Sequence, residues 1–144
     1  MEFRYFDVKY ALEVQDFIIE QSGGKKGLLN DGLLRSVLEH IQNDWYYPTL
    51  EDKVCHLLFS INKNHAFNDG NKRSSISLSA YFLQINGFDF LVGKFIREME
   101  NIVVYVADNK IDKELLHEII CEVVQKNEFS DTLKFKIINA LEKE

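Results

Sequence analysis

Apolar residues recur at intervals of three and four along almost the whole chain, so the sequence predicts an all-α bundle. Tyr10, Val14, Phe17 and Ile18 make one stripe of a first helix. It should stop at Ser22-Gly23-Gly24, where paired glycines favour left-handed and irregular backbone. A second helix follows the N-cap pair Asn30-Asp31 and turns Leu33, Leu34, Val37, Leu38 and Ile41 inward. Thr49 caps a third, with Asp52 at its N3 position and Val54, Leu57, Leu58 and Ile61 on the buried side; it runs out near Asn64. From Asn71 a fourth helix is apolar on two faces, Ile76, Ala80 and Leu83 on one and Leu78, Tyr81, Phe82 and Ile85 on the other. A helix apolar on two sides belongs in the middle of a bundle.

Asn86-Gly87 closes that helix, and Phe88-Asp89-Phe90-Leu91 reads as a short extended run. Ile96 to Val106 has helical spacing through Ile96, Met99 and Val103, but the β-branched stretch 102–106 keeps a strand open as the alternative. Asp112 caps a further helix with Leu116, Ile119, Ile120 and Val123 inside, and Ser130 caps a last one with Leu133, Ile137 and Leu141. The segment Asn43-Asp44-Trp45-Tyr46-Tyr47-Pro48 breaks the second helix from the third and is too aromatic for a routine solvated linker.

Length and composition narrow the function. At 144 residues the chain has the size of one domain and needs no disulfide or structural metal to bury a core. A net charge of −6 lacks the cationic surface that displaces counterions from DNA or RNA, so nucleic acid is not expected as a main partner. No signal-peptide core or membrane-length apolar run is present, and a cytoplasmic protein is expected. Cys55 and Cys121 lack CxxC spacing and read as buried thiols of a reduced compartment. Cys121 follows His117 by four residues, where both could face one metal, but a pair without further ligands reads as ordinary helix residues. Lys25-Lys26 between glycines lacks phosphate-loop spacing and reads as a solvated turn.

The chemistry is concentrated in His65-Ala66-Phe67-Asn68-Asp69-Gly70-Asn71-Lys72-Arg73, a loop that opens the central helix. A helix start offers unpaired backbone N–H groups and the positive end of its dipole, both attractive to phosphate oxygens. Gly70 lets the main chain approach such an anion; Lys72 and Arg73 add charge, arginine through a planar fork and lysine as a point charge. Asp69 is the hard oxygen ligand that magnesium prefers beside nucleotide phosphates. Histidine exchanges a proton in the cellular pH range, so His65 suits a general base acting on an incoming hydroxyl. Phe67 reads as an anchor that fixes the loop in the core. Singly, these residues are common turn and capping chemistry; as one contiguous run they point to transfer of a phosphate-containing group from a nucleotide.

The run matches His-x-Phe-x-acid-Gly-Asn-(Gly or Lys)-Arg, and the chain thereby resembles the Fic family, most closely its death-on-curing, or Doc, branch. Gly23-Gly24, Asp31-Gly32-Leu33-Leu34, Tyr47-Pro48-Thr49 and Asn86-Gly87 also fall where Doc-like chains carry similar residues. The resemblance implies one Fic/Doc domain over residues 1–144, with a core over about 8–125 and an extra C-terminal helix over about 130–143. It implies a helical bundle with a central motif helix and a short flap at Trp45, Tyr46 and Tyr47 that holds a target segment as an added strand; aromatic packing at a helix junction explains these residues equally well. The implied roles are His65 as catalytic base, Asp69 as magnesium ligand, and Gly70, Asn71, Lys72 and Arg73 as the ATP phosphate site.

Two departures set the expected reaction. Most of the family has glycine where this chain has Lys72 and transfers AMP, whereas Doc-like toxins carry lysine there and move the terminal phosphate. AMP-transferring relatives also have an arginine where this chain has Ile76, as the partner of an inhibitory glutamate in a Ser/Thr-x-x-x-Glu motif. No Ser or Thr here has Glu four residues later; Ser36 is followed by His40, Thr49 by Lys53 and Ser130 by Lys134. The expectation is a toxin-like phosphotransferase from ATP to a Ser/Thr hydroxyl of a protein such as elongation factor Tu, restrained by a separate antitoxin protein. An AMP transferase and a catalytically silent Fic-fold binding module are the alternatives.

Overall fold

The computed structural model describes residues 2–26, 31–67 and 70–143. Among them seven helices form: α1 (Val8–Ser22), α2 (Asp31–His40), α3 (Leu50–Asn64), α4 (Asn71–Ile85), α5 (Asp89–Ala107), α6 (Lys113–Gln125) and α7 (Asp131–Leu141). The expected all-α bundle is the observed one. α4 lies between α3 and α5 with α1 across it; α3 also packs on α2 and α6, and α7 on α6. The two-faced apolar pattern of α4 therefore marks a central helix, and the motif loop joins the two innermost elements.

Side-chain caps set several helix starts. Asp7 accepts from Tyr10 N at 2.9 Å, Asp112 from Leu115 N at 2.8 Å, and Ser130 from Leu133 N at 3.2 Å. Thr49 and Asp52 form a reciprocal capping box, each side chain accepting from the other's backbone N–H. α1 stops at Gly23, whose φ of 79° only glycine takes without strain. α4 ends in a Schellman motif: Phe88 N donates to Leu83 O, Gly87 N donates to Gln84 O, and Gly87 has φ 87°. For α2, Asn30 lies outside the described residues.

Two expectations are corrected, for Phe88 to Leu91 and for Phe17, and the helical reading of Ile96 to Val106 holds. Phe88-Asp89-Phe90-Leu91 is not extended, because α5 already begins at Asp89. Its acidic first turn suits the positive helix end, and Val92 continues the stripe of Phe95, Met99 and Ile102 onto the core. The stretch 102–106 is helix rather than strand: Ile102, Val103 and Val106 are buried, and packing overrides a propensity difference of well under ~1 kcal/mol per residue. Phe17 leaves the predicted stripe and is exposed, while Ala11 and Gln15 take the buried positions beside Ile18 and Ile19.

The core runs through Leu57, Leu58 and Ile61 of α3, Leu78, Phe82 and Leu83 of α4, and Phe95 and Met99 of α5. Phe67 is fully buried among them, as an anchor for the loop should be. No described helix is long and apolar enough to cross a membrane.

Candidate active site

Among the described residues, the loop between α3 and α4 carries two left-handed residues and one clamp. His65 ends α3 with φ 54° and ψ 61°, and Gly70 opens α4 with φ 71° and ψ 23°. The Asn71 side chain grips the Phe67 backbone at both ends: Phe67 N donates to Asn71 Oδ1 at 2.9 Å, and Asn71 Nδ2 donates to Phe67 O at 3.0 Å. With Phe67 sunk in the core, this pair fixes the loop to the bundle.

Gly70 is required for a second reason. A Cβ there would sit 3.3 Å from Ile19 Cδ1 and 3.4 Å from Gln15 Nε2, so α1 closes directly over the loop. Gln15 is fully buried and accepts a hydrogen bond from the Ser74 hydroxyl, tying α1 to the first turn of α4. The sequence reading missed Gln15; a polar residue on the buried stripe of α1, four residues after Ala11, was the available signal.

A cavity of about 240 Å³ opens on the solvent side of this loop, lined by Asn62, His65, Gly70, Asn71, Lys72, Arg73 and Ala107. Five of the six residues singled out in the sequence thus share one cavity. The sixth, Asp69, lies outside the described residues. His65 is exposed rather than packed in hydrocarbon, and Lys72 and Arg73 are exposed beside it. Among the described residues none of these three side chains makes an ion pair or hydrogen bond, so their donors are unspent.

The walls have opposite polarity. Asn71 is the first residue of α4 and Ala107 is the last residue of α5. One side is the positive end of a helix reinforced by Lys72 and Arg73, the other the negative end of a helix. Such a site can hold an anion against α4 while His65 reaches the same space with a proton acceptor. Asn62, which the sequence reading also missed, contributes to the far wall; its trace in the sequence is a polar residue four after Leu58 on the buried face of α3.

The Ile76 position, one turn further along α4, is half-buried and packed against the core. It supplies no additional cation.

The segment 43–48 is a chain of turns between α2 and α3. Asn43 Oδ1 accepts from Trp45 N at 3.0 Å and Tyr46 N at 3.3 Å, and Asp44 pairs with the fully buried Lys53, whose Nζ also donates to Ile41 O at 2.6 Å. Trp45 and Tyr46 are 89% and 72% exposed, which rules out junction packing for both. Tyr47 does pack, stacked on the His56 ring at 4.4 Å.

His56 is held at both ring nitrogens. Lys113 Nζ can only donate, so His56 Nδ1 accepts at 2.8 Å and its Nε2–H points to His40 Nδ1 at 3.2 Å. Burial, then the Lys113 charge and His40, push the His56 pKa down to about 4.

Cys121 sits 3.7 Å from His117 Nδ1, but His117 Nε2 is taken by Asp52 Oδ1 at 2.7 Å. Among the described residues no group of three or more His, Cys, Asp or Glu side chains is arranged to hold a metal. Cys55 is buried as expected, whereas Cys121 is only half-buried. Lys25 and Lys26 are exposed, as read, with Lys26 paired to Glu20 at 3.0 Å.

Comparison with known proteins gives the family. Residues 5–83, which take in α1 to α3, the motif loop and all but the last two residues of α4, match the model of the Fic/DOC family. The chain is also 34% identical over 94 residues to a protein described as Toxin Doc from Mycolicibacterium smegmatis, an alignment covering 62% of this chain and 72% of the relative. The motif loop, the central helix it opens and these matches together make the chain a member of the Fic/DOC family.

Proposed function

We propose that this protein is a toxin-like phosphotransferase that moves the terminal phosphate of ATP to a Ser or Thr hydroxyl of a target protein in the cytoplasm. The observation that carries this reading is the cavity that His65 lines together with Lys72, Arg73 and the start of α4. Membership of a family that transfers nucleotide-derived groups to proteins supports it, as does the likeness to a protein named as a toxin.

The residues present fit an ATP tail. The start of α4, with the backbone N–H of Asn71 and the two unspent cations, would hold phosphate oxygens; the Asn71 side chain keeps the loop in shape. Lys72 carries the choice of phosphate: its long cation fills the space a glycine would leave and draws the triphosphate so that the γ-phosphate faces His65. His65 takes the proton of the attacking hydroxyl, a service worth typically ~10²- to 10⁴-fold. Asp69 would hold magnesium, which supplies charge neutralisation on the phosphates when bound. The exposed Trp45 and Tyr46 offer a surface for the target segment, with elongation factor Tu the first target to try. With Ile76 in place of a further cation and no Ser/Thr-x-x-x-Glu sequence, restraint falls to a separate antitoxin protein.

The test is incubation with elongation factor Tu and ATP labelled on either the α or the γ phosphate. Label should move only from the γ position and not at all with His65→Ala. Transfer from the α position alone would mean AMP transfer and defeat the reading of Lys72.

A further inference from the structure

Asn62 is 1% exposed, precedes His65 by three residues at the end of α3, and lines the same cavity. Its Nδ2 donates to Val103 O of α5 at 2.9 Å, which fixes the amide, while Oδ1 has no hydrogen-bond partner. A buried carbonyl oxygen without a donor is rare in native folds and calls for a use.

The chemistry of the cavity narrows that use. A carbonyl oxygen repels phosphate, so it does not serve the anion-binding wall formed by Lys72, Arg73 and the α4 start. His65, by contrast, caps the same helix three residues on, lines the same cavity, and makes no side-chain hydrogen bond among the described residues. A histidine base needs one ring N–H held so that the other nitrogen is bare. The geometry points to Asn62 as the positioning residue of that base: its Oδ1 accepts the imidazole N–H of His65 when that ring turns inward to the cavity. The bare nitrogen then takes the proton of the attacking hydroxyl, and Asn62 itself gains none. This inference rests on the role proposed above for His65, but its test does not depend on transfer.

The experiment is a long-range ¹H–¹⁵N spectrum of the histidine rings in the full-length, ¹⁵N-labelled protein without substrate. One neutral tautomer of His65 is expected in the parent. Asn62→Leu, which keeps the bulk and removes the acceptor, should show both tautomers, and Asn62→Asp, whose carboxylate still accepts, should return to one. A tautomer mixture in the parent, or an unchanged His65 signal in a folded Asn62→Leu variant, overturns the assignment. If Asn62→Leu does not fold, the parent and Asn62→Asp spectra decide it alone.

In turnover, Asn62→Leu should lower kcat roughly tenfold or more with the KM for ATP unchanged. A raised KM at constant kcat would instead make Asn62 a nucleotide contact and overturn the role. An inactive parent defeats the proposed reaction; a mixed-tautomer parent defeats the role of Asn62.

Discussion

A histidine in the left-handed region is an uncommon choice, because its Cβ crowds the following carbonyl at a cost of about 1 kcal/mol that glycine avoids. His65 therefore holds its place at the end of α3 against the local preference for glycine. His65→Gly should raise stability by about 1 kcal/mol in urea unfolding while abolishing transfer. Equal or lower stability would remove the case for strain at this position. The two cysteines lead to a different expectation. Burial, above all, lifts the Cys55 thiol to about 12 and the half-buried Cys121 thiol to about 11, with the nearby carboxylates adding to the rise at Cys121. Neither is appreciably a thiolate at neutral pH, so alkylation at pH 7.5 should be slow at both sites. Fast labelling of Cys121 would contradict its surroundings.

At the scale of elements, the sequence was most legible where one local rule decides the outcome. Thr49, Asp112 and Ser130 start helices as their types dictate, and Asn86-Gly87 stops one. Thr49→Ala should cost about 1 kcal/mol, seen as a lower urea midpoint with an unchanged slope. Legibility failed where long-range packing decides. Phe88 to Leu91 looks extended when four residues are read alone, but Phe95 and Met99 draw α5 back to Asp89. The motif loop was legible as a candidate site because its residues are contiguous, and five of them line one cavity. Asn62, Gln15 and the stack of Tyr47 on His56 were not, since each acquires meaning only from a helix distant in sequence. Trp45 and Tyr46 stood between two readings until their exposure decided against packing.

For the molecule as a whole, the buried His56 sets a pH dependence whose sign can be worked out. Its pKa is near 6.5 in the unfolded chain and about 4 in the folded one. Between these values the unfolded chain binds a proton that the folded chain refuses, so stability falls as pH drops from about 6.5 to about 4, then levels off for this group. Asp52 acts lower in the range: burial alone would raise its pKa, but bonds from Thr49 and His117 prevail and depress it, so its contribution is lost as pH falls through that depressed value. Urea midpoints at pH 7 and pH 5 should differ in the parent and converge in His56→Gln; an equal pH response in both would exclude His56 as the source.

The closeness of the first helix to Gly70 also has a genetic consequence. If expression of this chain arrests growth, survivors selected without bias should carry inactivating lesions in two separate clusters. One cluster falls at codons 65 to 73, and the other at codons 15 to 19, where an enlarged or charged side chain would dislodge the loop without touching any reacting atom.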